Sequence, residues 1–351
     1  MKGLRIIDNE QLPKTCQITF IIGNGFDLSL QMKTKYIHIY DEYINSPSSS
    51  KIVERFKQEL KSNAAHRYEN WADFEMGMAD YANTLSSENE LIECVRDFKG
   101  FMSNHLQAEN DRIIDLIKNE VISHQRLLKE FDRSIEEFYT GLTPNDINQM
   151  KGLMSNAIIE RKYITFNYTS TLEAFLSLKY KYDRIVESTP IHIHGRLGED
   201  VVLGIDNIEQ IKKVPFLLSR KGKRAFIKTF FNEQFDKLRV ETAKNIIKQS
   251  DIICVYGFSM GESDKTWVDL LVDWLNENLN HHLVVFDYDE SNYNLYNRDE
   301  IMDVEDEKKV YLLNKLGIKE ESFFYQIHIP VGKSIFNFSF KQIVPHTLGV
   351  T

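Results

Sequence analysis

The chain of 351 residues is 42% hydrophobic and 27% charged, which is typical of a soluble globular protein with one large domain or two ordinary ones. Its formal net charge of −9 disfavours broad binding of nucleic acid by charge alone. Three scattered cysteines, Cys16, Cys94 and Cys254, argue against both a disulfide framework and a cysteine-rich zinc module.

The first predicted element is a buried strand, because residues 17–22 (QITFII) are apolar and rich in β-branched side chains. It leads into the loop Gly23-Asn24-Gly25-Phe26-Asp27. Two glycines beside an asparagine are typical of a tight turn, or of a backbone that comes close to a ligand. Because position 28 is Leu, the GxGxxG fingerprint of dinucleotide sites is absent, and both interpretations remain open.

Helices are expected to follow this loop. Thr34 is predicted to cap a helix that carries Tyr36, Ile39 and Tyr43 on its apolar face. From about 51 to 160, apolar residues recur at steps of three and four, which predicts a long helical block.

The second half of the chain alternates short apolar strands with helices. A helix is predicted from about 265 to 278. This alternation predicts an α/β fold: a Rossmann-like, mostly parallel sheet with helices on both faces and a large helical insertion. Strands are predicted at 162–167 (KYITFN), 190–195 (PIHIHG), 201–205 (VVLGI), 251–257 (DIICVYG), 282–287 (HLVVFD) and within 323–329.

These elements predict a discontinuous organisation of the chain. A nucleotide-binding domain comprises residues 1–46 and 161–330, residues 47–160 form the helical insertion, and residues 331–351 are a C-terminal tail. No apolar stretch reaches the length that spans a bilayer, and the N-terminus lacks an apolar signal core. We therefore expect a cytoplasmic location without a membrane partner.

Two further loops at predicted strand ends carry polar side chains. Asn167-Tyr168-Thr169 follows a strand directly, and a cap or turn role for Asn167 competes with a role in a site. In His192-Ile193-His194-Gly195, alternation places both imidazoles on one face. A metal site would need a third ligand that the sequence does not supply, so we expect no metal. His192 is expected to pack or hydrogen-bond, and His194 to face an open site as a base.

Gly257-Phe258-Ser259-Met260-Gly261 follows the most apolar predicted strand and matches GxSxG, the nucleophile elbow of serine hydrolases. Chain order permits a triad of Ser259, Asp287 and His328. The helix that an elbow requires directly after the serine is not expected there, because Glu262-Ser263-Asp264 resemble the cap of a later helix. The serine hydrolase is therefore a secondary interpretation.

The fifth strand end carries Asp287, whose carboxylate suits the two hydroxyls of a ribose, although a turn-forming role is equally compatible. In open parallel sheets, ligands bind beyond the carboxyl ends of the strands. The placement of all five loops at that edge predicts a nucleotide site. A basic stretch stands apart from these loops, and its favoured interpretation is a solvated face, with phosphate or acidic-partner binding as the alternative. It comprises Lys212, Lys213, Arg220, Lys221, Lys223, Arg224 and Lys228.

Six segments resemble the AbiH family of bacterial abortive-infection proteins, in order from about residue 18 to 290. That family in turn resembles a divergent branch of the sirtuin-like NAD-binding fold. The segments are IIGNGFDLSLQMKTKY from position 21, WADFE at 71–75, ITFNYTSTLE at 164–173, IHIHG at 191–195, VLGID at 202–206 and YGFSMGESD at 256–264.

The resemblance implies roles for individual residues. It makes His194 the catalytic base and lets Asn167 hold the ribose or a water molecule. Gly23, Asn24 and Gly25 would approach the phosphates and the nicotinamide ribose. The remaining implied contacts with NAD are Phe26, Asp27, Tyr168, Gly195, Gly257, Ser259 and Asp287.

The resemblance also has departures. Sirtuin deacylases carry a four-cysteine zinc module and an Asp-Phe-Arg segment after the first loop, and both are missing here. The implied activity is therefore cleavage of NAD as a substrate, with depletion of a host metabolite as phage defence. Implied partners are a phage-derived trigger and further copies of the chain. The alternatives are a non-catalytic sensor of NAD or ADP-ribose and the serine hydrolase. Glu75 is a candidate contact from the insertion, against a solvated or capping role.

Overall fold

The computed structural model describes residues 14–62, 71–118, 124–179, 183–211, 216, 218–286, 297–319 and 321–338. Within them lies one sheet of seven strands, and all of its strand pairs are parallel. The strands are β1 (Thr15–Ile22), β2 (Ile158–Thr165), β3 (Ile185–Glu187), β4 (Ile191–His192), β5 (Ile252–Tyr256), β6 (His282–Phe286) and β7 (Ile327–His328). The predicted α/β class with a mostly parallel sheet is confirmed.

The strand order is β3-β2-β1-β5-β6-β7, and β4 pairs with β2 beside β3. The chain builds the sheet outward from β1 in one direction and then, from β5, in the other. β1 and β5 are therefore the neighbours at which the order reverses, with Ile18 opposite Ile252 and Ile22 opposite Tyr256. In doubly wound folds, this reversal opens a crevice beyond the carboxyl ends of the two strands.

Thirteen α-helices lie in the described ranges, together with four short 3₁₀ segments at Phe138–Gly141, Ile208–Gln210, Glu262–Asp264 and Glu321–Tyr325. The helices are α1 (Gly25–Ser29), α2 (Tyr36–Asn45), α3 (Lys51–Ser62), α4 (Trp71–Ala82), α5 (Glu88–Lys118), α6 (His124–Glu136), α7 (Pro144–Met154), α8 (Thr171–Leu178), α9 (Arg220–Phe226), α10 (Lys228–Phe235), α11 (Lys237–Lys248), α12 (Lys265–Glu277) and α13 (Arg298–Leu316).

Local sequence explains several helix ends. α7 begins after Thr143, whose side chain accepts a hydrogen bond from the Asp146 N–H, and Pro144 occupies its first turn. α13 begins after Asn297, which caps it through the Glu300 N–H, and ends at Gly317 with φ +71°. These are the residue types that satisfy the free backbone groups of a helix terminus.

Helices cover both faces of the sheet. On one face, Phe20 and its neighbours in β1 pack with Phe131 of α6 and Phe175 of α8. On the other face, Ile21 and residues of β5 and β6 pack with α11, α12 and α13, where Trp274 is fully buried. A parallel sheet buried on both faces accounts for the nearly continuous apolar sequence of its central strands.

A third apolar cluster joins the helical block to the second half of the chain. It contains residues of α2, α3, α4 and the first part of α5, together with Val201, Leu203, Ile205 and Phe226. α5 is 31 residues long, and its later residues Ile113 and Ile117 pack in the cluster beside the sheet instead. This helix therefore connects the helical block to the sheet.

Several sequence predictions are corrected by the structure. Thr34 is not the cap of the following helix, because the N-cap is Lys35 and its side chain makes no capping hydrogen bond. The predicted strand at 190–195 is shortened to Ile191–His192 by a turn that follows it. The predicted strand at 201–205 forms only isolated bridges, Gly195 with Val201 and Ile205 with Ile227. β3 was not predicted, and the helical block ends at Met154 rather than near 160.

The end of the chain is only partly described. Ile335, Phe336 and Phe338, which the sequence analysis assigned to a tail, are buried in the cluster that contains Phe20. The edge strand predicted within 323–329 is confirmed as the two-residue β7. The proposed division into domains stays a prediction.

Candidate active site

The loops after β1 and β5 cross at the point where the strand order reverses. The Gly23 N–H donates to the Tyr256 carbonyl at 2.9 Å, and the Gly25 N–H donates to the Gly257 carbonyl at 3.2 Å. A Cβ on Gly23 would lie 2.4 Å from the Gly257 oxygen, and one on Gly25 would lie 2.5 Å from the Gly257 Cα. The close approach of two backbones therefore accounts for all three glycines. Their predicted contact with a nucleotide stays a prediction.

The remaining residues of the first loop have partners inside the protein. The Asn24 amide donates to the Thr34 carbonyl at 3.0 Å, and the Phe26 ring is fully buried against Phe336. Asp27 is buried and accepts hydrogen bonds from the Thr169 and Thr171 hydroxyls, each at 2.7 Å. Asp27 thus joins the loop after β1 to the loop after β2.

Burial raises the pKa of Asp27 from its usual 3.8 to about 6, and the nearby Glu173 carboxylate adds to this. The two threonine hydrogen bonds and His192 act in the opposite direction without cancelling the rise. Below pH 4, Asp27 is protonated in the folded and the unfolded chain alike. Between pH 4 and 6 the unfolded chain ionises first, so this carboxyl lowers stability as pH rises.

We expect Asp27→Asn to remove this loss of stability. The rise to about 6 corresponds to about 3 kcal/mol at roughly 1.4 kcal/mol per pH unit. The stability gained by the variant relative to wild type should therefore grow as pH rises from 4 to 6 and reach about that value near pH 7. Urea unfolding at a series of pH values measures the difference, with the exposed Asp41→Asn as control. Parallel pH curves for wild type and Asp27→Asn would contradict the assignment.

Aromatic rings connect three of the loops. The Phe166 ring, directly after β2, stacks on Phe258 of the loop after β5 at 4.0 Å between centroids. Phe166 also contacts the His194 ring edge to face, with 5.1 Å between the two ring centroids. Each such pair contributes about 0.5–1.5 kcal/mol beyond the area that it buries. The loops after β2, β4 and β5 therefore form one packed unit.

His194 is the first member of a buried charged network, which we define as His194, Asp264, Lys228 and Glu75. His194 Nε2 lies 2.9 Å from Asp264 Oδ1, and Lys228 Nζ lies 3.0 Å from the same oxygen. Lys228 Nζ also lies 2.7 Å from Glu75 Oε2 and donates to the Ser263 carbonyl at 3.1 Å. Glu75 Oε1 accepts the Gly204 N–H at 3.0 Å. Asp264 Oδ1 is thus shared by His194 and Lys228, and Lys228 lies between the carboxylates of Asp264 and Glu75.

Burial and charge compete in this network. Burial raises the pKa of the Glu75 carboxyl more than the Lys228 charge lowers it. Burial would also raise the pKa of Asp264, but Lys228 and the His194 hydrogen bond hold it well below its usual range. Burial disfavours a charged Lys228, yet Asp264 and Glu75 outweigh this and raise its pKa. Asp264 and Lys228 are therefore an ion pair at neutral pH.

The contact with Asp264 defines the orientation of the His194 ring. An ionised carboxylate only accepts hydrogen bonds, so the hydrogen at this contact belongs to Nε2. Nδ1 makes no hydrogen bond with the residues that the structure describes. A neutral His194 therefore presents Nδ1 as a base, and Asp264 stabilises the ring when it takes up a proton.

His192 has partners of its own, as predicted. Its Nδ1 lies 2.8 Å from the Asn167 carbonyl and its Nε2 lies 2.6 Å from Glu173 Oε1.

The Asn167 side chain is buried, and its amide makes no hydrogen bond with the described residues, so it does not act as a helix cap. The Tyr168 hydroxyl donates to the Val202 carbonyl at 2.9 Å, and Gly195 has φ +76° in the turn that ends this segment.

A cavity of about 380 Å³, which we call the His194 cavity, opens beside the network. Its buried lining includes His194, Asp206, Lys228 and Asn232, and residues of α10 and α11 form its more exposed side. The volume is within the range of small-ligand sites. Of the sequence-predicted site residues, His194 lines this cavity, whereas Asn167 and the glycines of the crossing loops are not part of its lining.

The geometry does not favour the serine hydrolase. Ser259 is exposed after the carboxyl end of β5, and the next α-helix begins only at Lys265. His328 contacts His282, the first residue of β6, at 3.0 Å and therefore lies toward the opposite end of the strands. Asp287, predicted both for that triad and for a ribose contact, lies outside the described residues.

The sequence did not predict the pairing of Glu75, Lys228 and Asp264 in one network. Glu75 was a candidate contact from the insertion, against a solvated or capping role, and Lys228 was assigned a solvated face. Each is 3% exposed, so the solvated role is wrong for both. Asp264 occupies the N-cap position of α12, as predicted, but its side chain makes no capping hydrogen bond and contacts His194 and Lys228 instead. Arg220 and Lys221 of the same basic stretch are exposed, as predicted, and Lys212 and Lys213 lie outside the described residues.

The described residues lack two further features. They contain no helix that is long and apolar enough to cross a membrane. They also contain no group of three or more His, Cys, Asp or Glu side chains arranged to hold a metal ion.

Comparison with known proteins gives one result. The model of a family described as "Bacteriophage abortive infection AbiH" matches residues 19–288. No curated protein matches the chain. The matched range begins in β1 and ends just beyond β6, so it includes the crossing loops, the charged network and the His194 cavity.

Proposed function

Because this chain belongs to the AbiH family of bacteriophage abortive-infection proteins, we propose that it acts in phage defence by cleaving NAD. The bond cleaved is the N-glycosidic bond between nicotinamide and ribose. The family that the motifs predicted is confirmed, whereas the sirtuin-like NAD site stays a prediction.

One observation carries the proposal: His194 is oriented by Asp264 at 2.9 Å and lines a cavity. A general base needs a fixed ring, a free nitrogen and space for a substrate, and this position offers all three. The strand order supports a nucleotide as the substrate, because doubly wound sheets bind nucleotides at such reversals.

The reaction proceeds through an oxocarbenium-like ribose, as in other glycoside cleavages. The electron pair of the breaking bond passes to the nicotinamide ring nitrogen, which becomes neutral. A water oxygen bonds to the ribose carbon, and its proton passes to His194 Nδ1. Asp264 stabilises the resulting imidazolium, while Glu75 offsets the charge of Lys228 nearby.

Other residues of the loops have supporting roles in the proposal. The amide of Asn167 makes no hydrogen bond with the described residues, and it stays the proposed partner of a ribose hydroxyl or a water molecule, outside the lining of the His194 cavity. The crossing glycine loops fix the positions of β1 and β5 relative to each other. Positioning of this kind lowers a barrier by removing the entropy cost of aligning the reactants.

The test is to incubate the purified protein with NAD and a panel of other nucleotides, alone and with extracts of phage-infected cells, and to separate the products by chromatography. We expect nicotinamide and ADP-ribose to form in equal amounts from NAD. Binding of NAD without turnover under every condition would show that the protein is a sensor and not an enzyme. Reaction of Ser259 with a fluorophosphonate, abolished in Ser259→Ala, would show that the protein is a serine hydrolase.

A further inference from the structure

We propose that Asp206 is a positioning residue that binds a vicinal pair of sugar hydroxyls in the His194 cavity. The inference rests on the proposed function only for the identity of the sugar, the ribose that carries nicotinamide. Asp206 stands at the end of VLGID and was not a candidate residue in the sequence analysis.

Asp206 is held from several directions. Its backbone N–H donates to Gln210 Oε1 at 2.8 Å, and its carbonyl accepts from the N–H and the hydroxyl of Thr229. One carboxylate oxygen, Oδ2, accepts from the Thr266 N–H at 2.8 Å and from the Thr266 hydroxyl at 2.6 Å. A carboxylate fixed this firmly is preorganised for a ligand.

The other oxygen of Asp206, Oδ1, has no partner among the described residues. The residue is only 3% exposed, yet it lines the His194 cavity. A carboxylate oxygen without a partner in the protein can accept a hydrogen bond from a ligand or from water. Burial accordingly raises the pKa of Asp206, although both Thr266 hydrogen bonds and the Lys228 charge oppose the rise.

The surroundings indicate which ligand group meets Oδ1. A carboxylate repels phosphate and accepts hydrogen bonds, so a hydroxyl donor fits it. A ligand cation would lie close to the Lys228 ammonium, which lines the same cavity and is already paired with Asp264 and Glu75. A neutral diol binds there without that repulsion.

The backbone places Asp206 beside the proposed base. Ile205 and Ile227 form a parallel bridge, so the next residues, Asp206 and Lys228, are neighbours at the cavity. Lys228 in turn shares Asp264 Oδ1 with His194. A sugar held by Asp206 therefore lies in the cavity that His194, the proposed base, also lines.

The test measures binding of ADP-ribose and of its analogue without the 2′ and 3′ hydroxyls on the terminal ribose, by calorimetry. Loss of a hydrogen bond to a charged group costs about 1.5–3 kcal/mol, or roughly 10- to 150-fold in affinity. We expect Asp206→Asn to weaken ADP-ribose binding by about this factor and to leave binding of the dideoxy analogue unchanged. The exposed Asp273→Asn removes the same charge from α12 and should alter neither affinity.

Thr266→Val is the second variant, in case Asp206→Asn fails to fold. It removes one hydrogen bond to Oδ2 and keeps Oδ1, so it should still prefer ADP-ribose over the analogue. The inference is overturned if wild type binds both compounds equally, if it binds neither, or if Asp206→Asn loses affinity for both alike.

Failure of this inference is distinguishable from failure of the proposed function. If wild type cleaves NAD and Asp206→Asn retains its KM and kcat, NAD cleavage stands and the diol contact is wrong. If wild type binds ADP-ribose through the hydroxyls but never cleaves NAD, the diol contact stands and the proposed NAD cleavage is wrong.

Discussion

Replacement of His194 by alanine should lower the rate of nicotinamide release by about two to four orders of magnitude, because that is the usual contribution of a positioned general base. The loss should appear in kcat more than in KM, since His194 acts on the water and not on the bound nucleotide. Asp264 Oδ1 keeps its contact with Lys228 in the variant, so we expect the fold to persist. Circular dichroism and the affinity for ADP-ribose verify this.

His105→Ala is the matched control. This imidazole lies on α5, hydrogen-bonds Glu42 and the Lys33 carbonyl, and is not part of the cavity lining. Its removal should leave the rate within a factor of two or so, a value typical of substitutions far from the chemistry. Asn167→Ala is expected to lose rate as His194→Ala does. Equal rates for wild type and His194→Ala would show that another group activates the water.

Replacement of Lys228 by methionine should lower the free energy of unfolding by about 3–5 kcal/mol. The substitution keeps much of the side-chain volume but removes the cation between Asp264 and Glu75, at 3.0 Å and 2.7 Å. Two buried carboxylates then lose their shared partner, and this uncompensated charge is the source of the cost. Urea unfolding followed by tryptophan fluorescence measures the change.

Two further variants identify the cause. Lys129→Met removes an exposed lysine of α6 and should alter stability by no more than about 0.5 kcal/mol. The double variant Lys228→Met, Glu75→Gln leaves one carboxylate, Asp264, which His194 still contacts, and should recover part of the loss. If Lys228→Met proves as stable as Lys129→Met, the network does not contribute to folding.

The central strands were predictable because their signal is local. β1, β5 and β6 are short apolar runs, and each lies within one or two residues of its predicted bounds. β3 and the bridges around residues 201–205 were not predictable. β3 has only three residues, and the bridge at Ile205 depends on a partner distant in sequence, Ile227. Pairing of that kind leaves no periodicity in the sequence.

The candidate base was predictable and its partners were not. His194 is recognisable from a strand-end His-Gly pair, a pattern visible within six residues. Glu75 lies 153 positions from Lys228, and Asp264 lies 36 positions from it. Glu75, Lys228 and Asp264 belong to residue types that usually lie on the surface. Their burial depends on the ion pairs that they form only in the folded chain.

The position of β1 in the sheet has a consequence for the order of folding. This strand is made first, yet its two neighbours come from residues 158–165 and 252–256. During synthesis one edge of this apolar strand stays open until residues 158–165 have emerged, and the other until residues 252–256 have, whereas α2 to α5 can already form contacts among themselves. The helical block is therefore expected to collapse early, and closure of the sheet around β1 to be slow and vulnerable to aggregation.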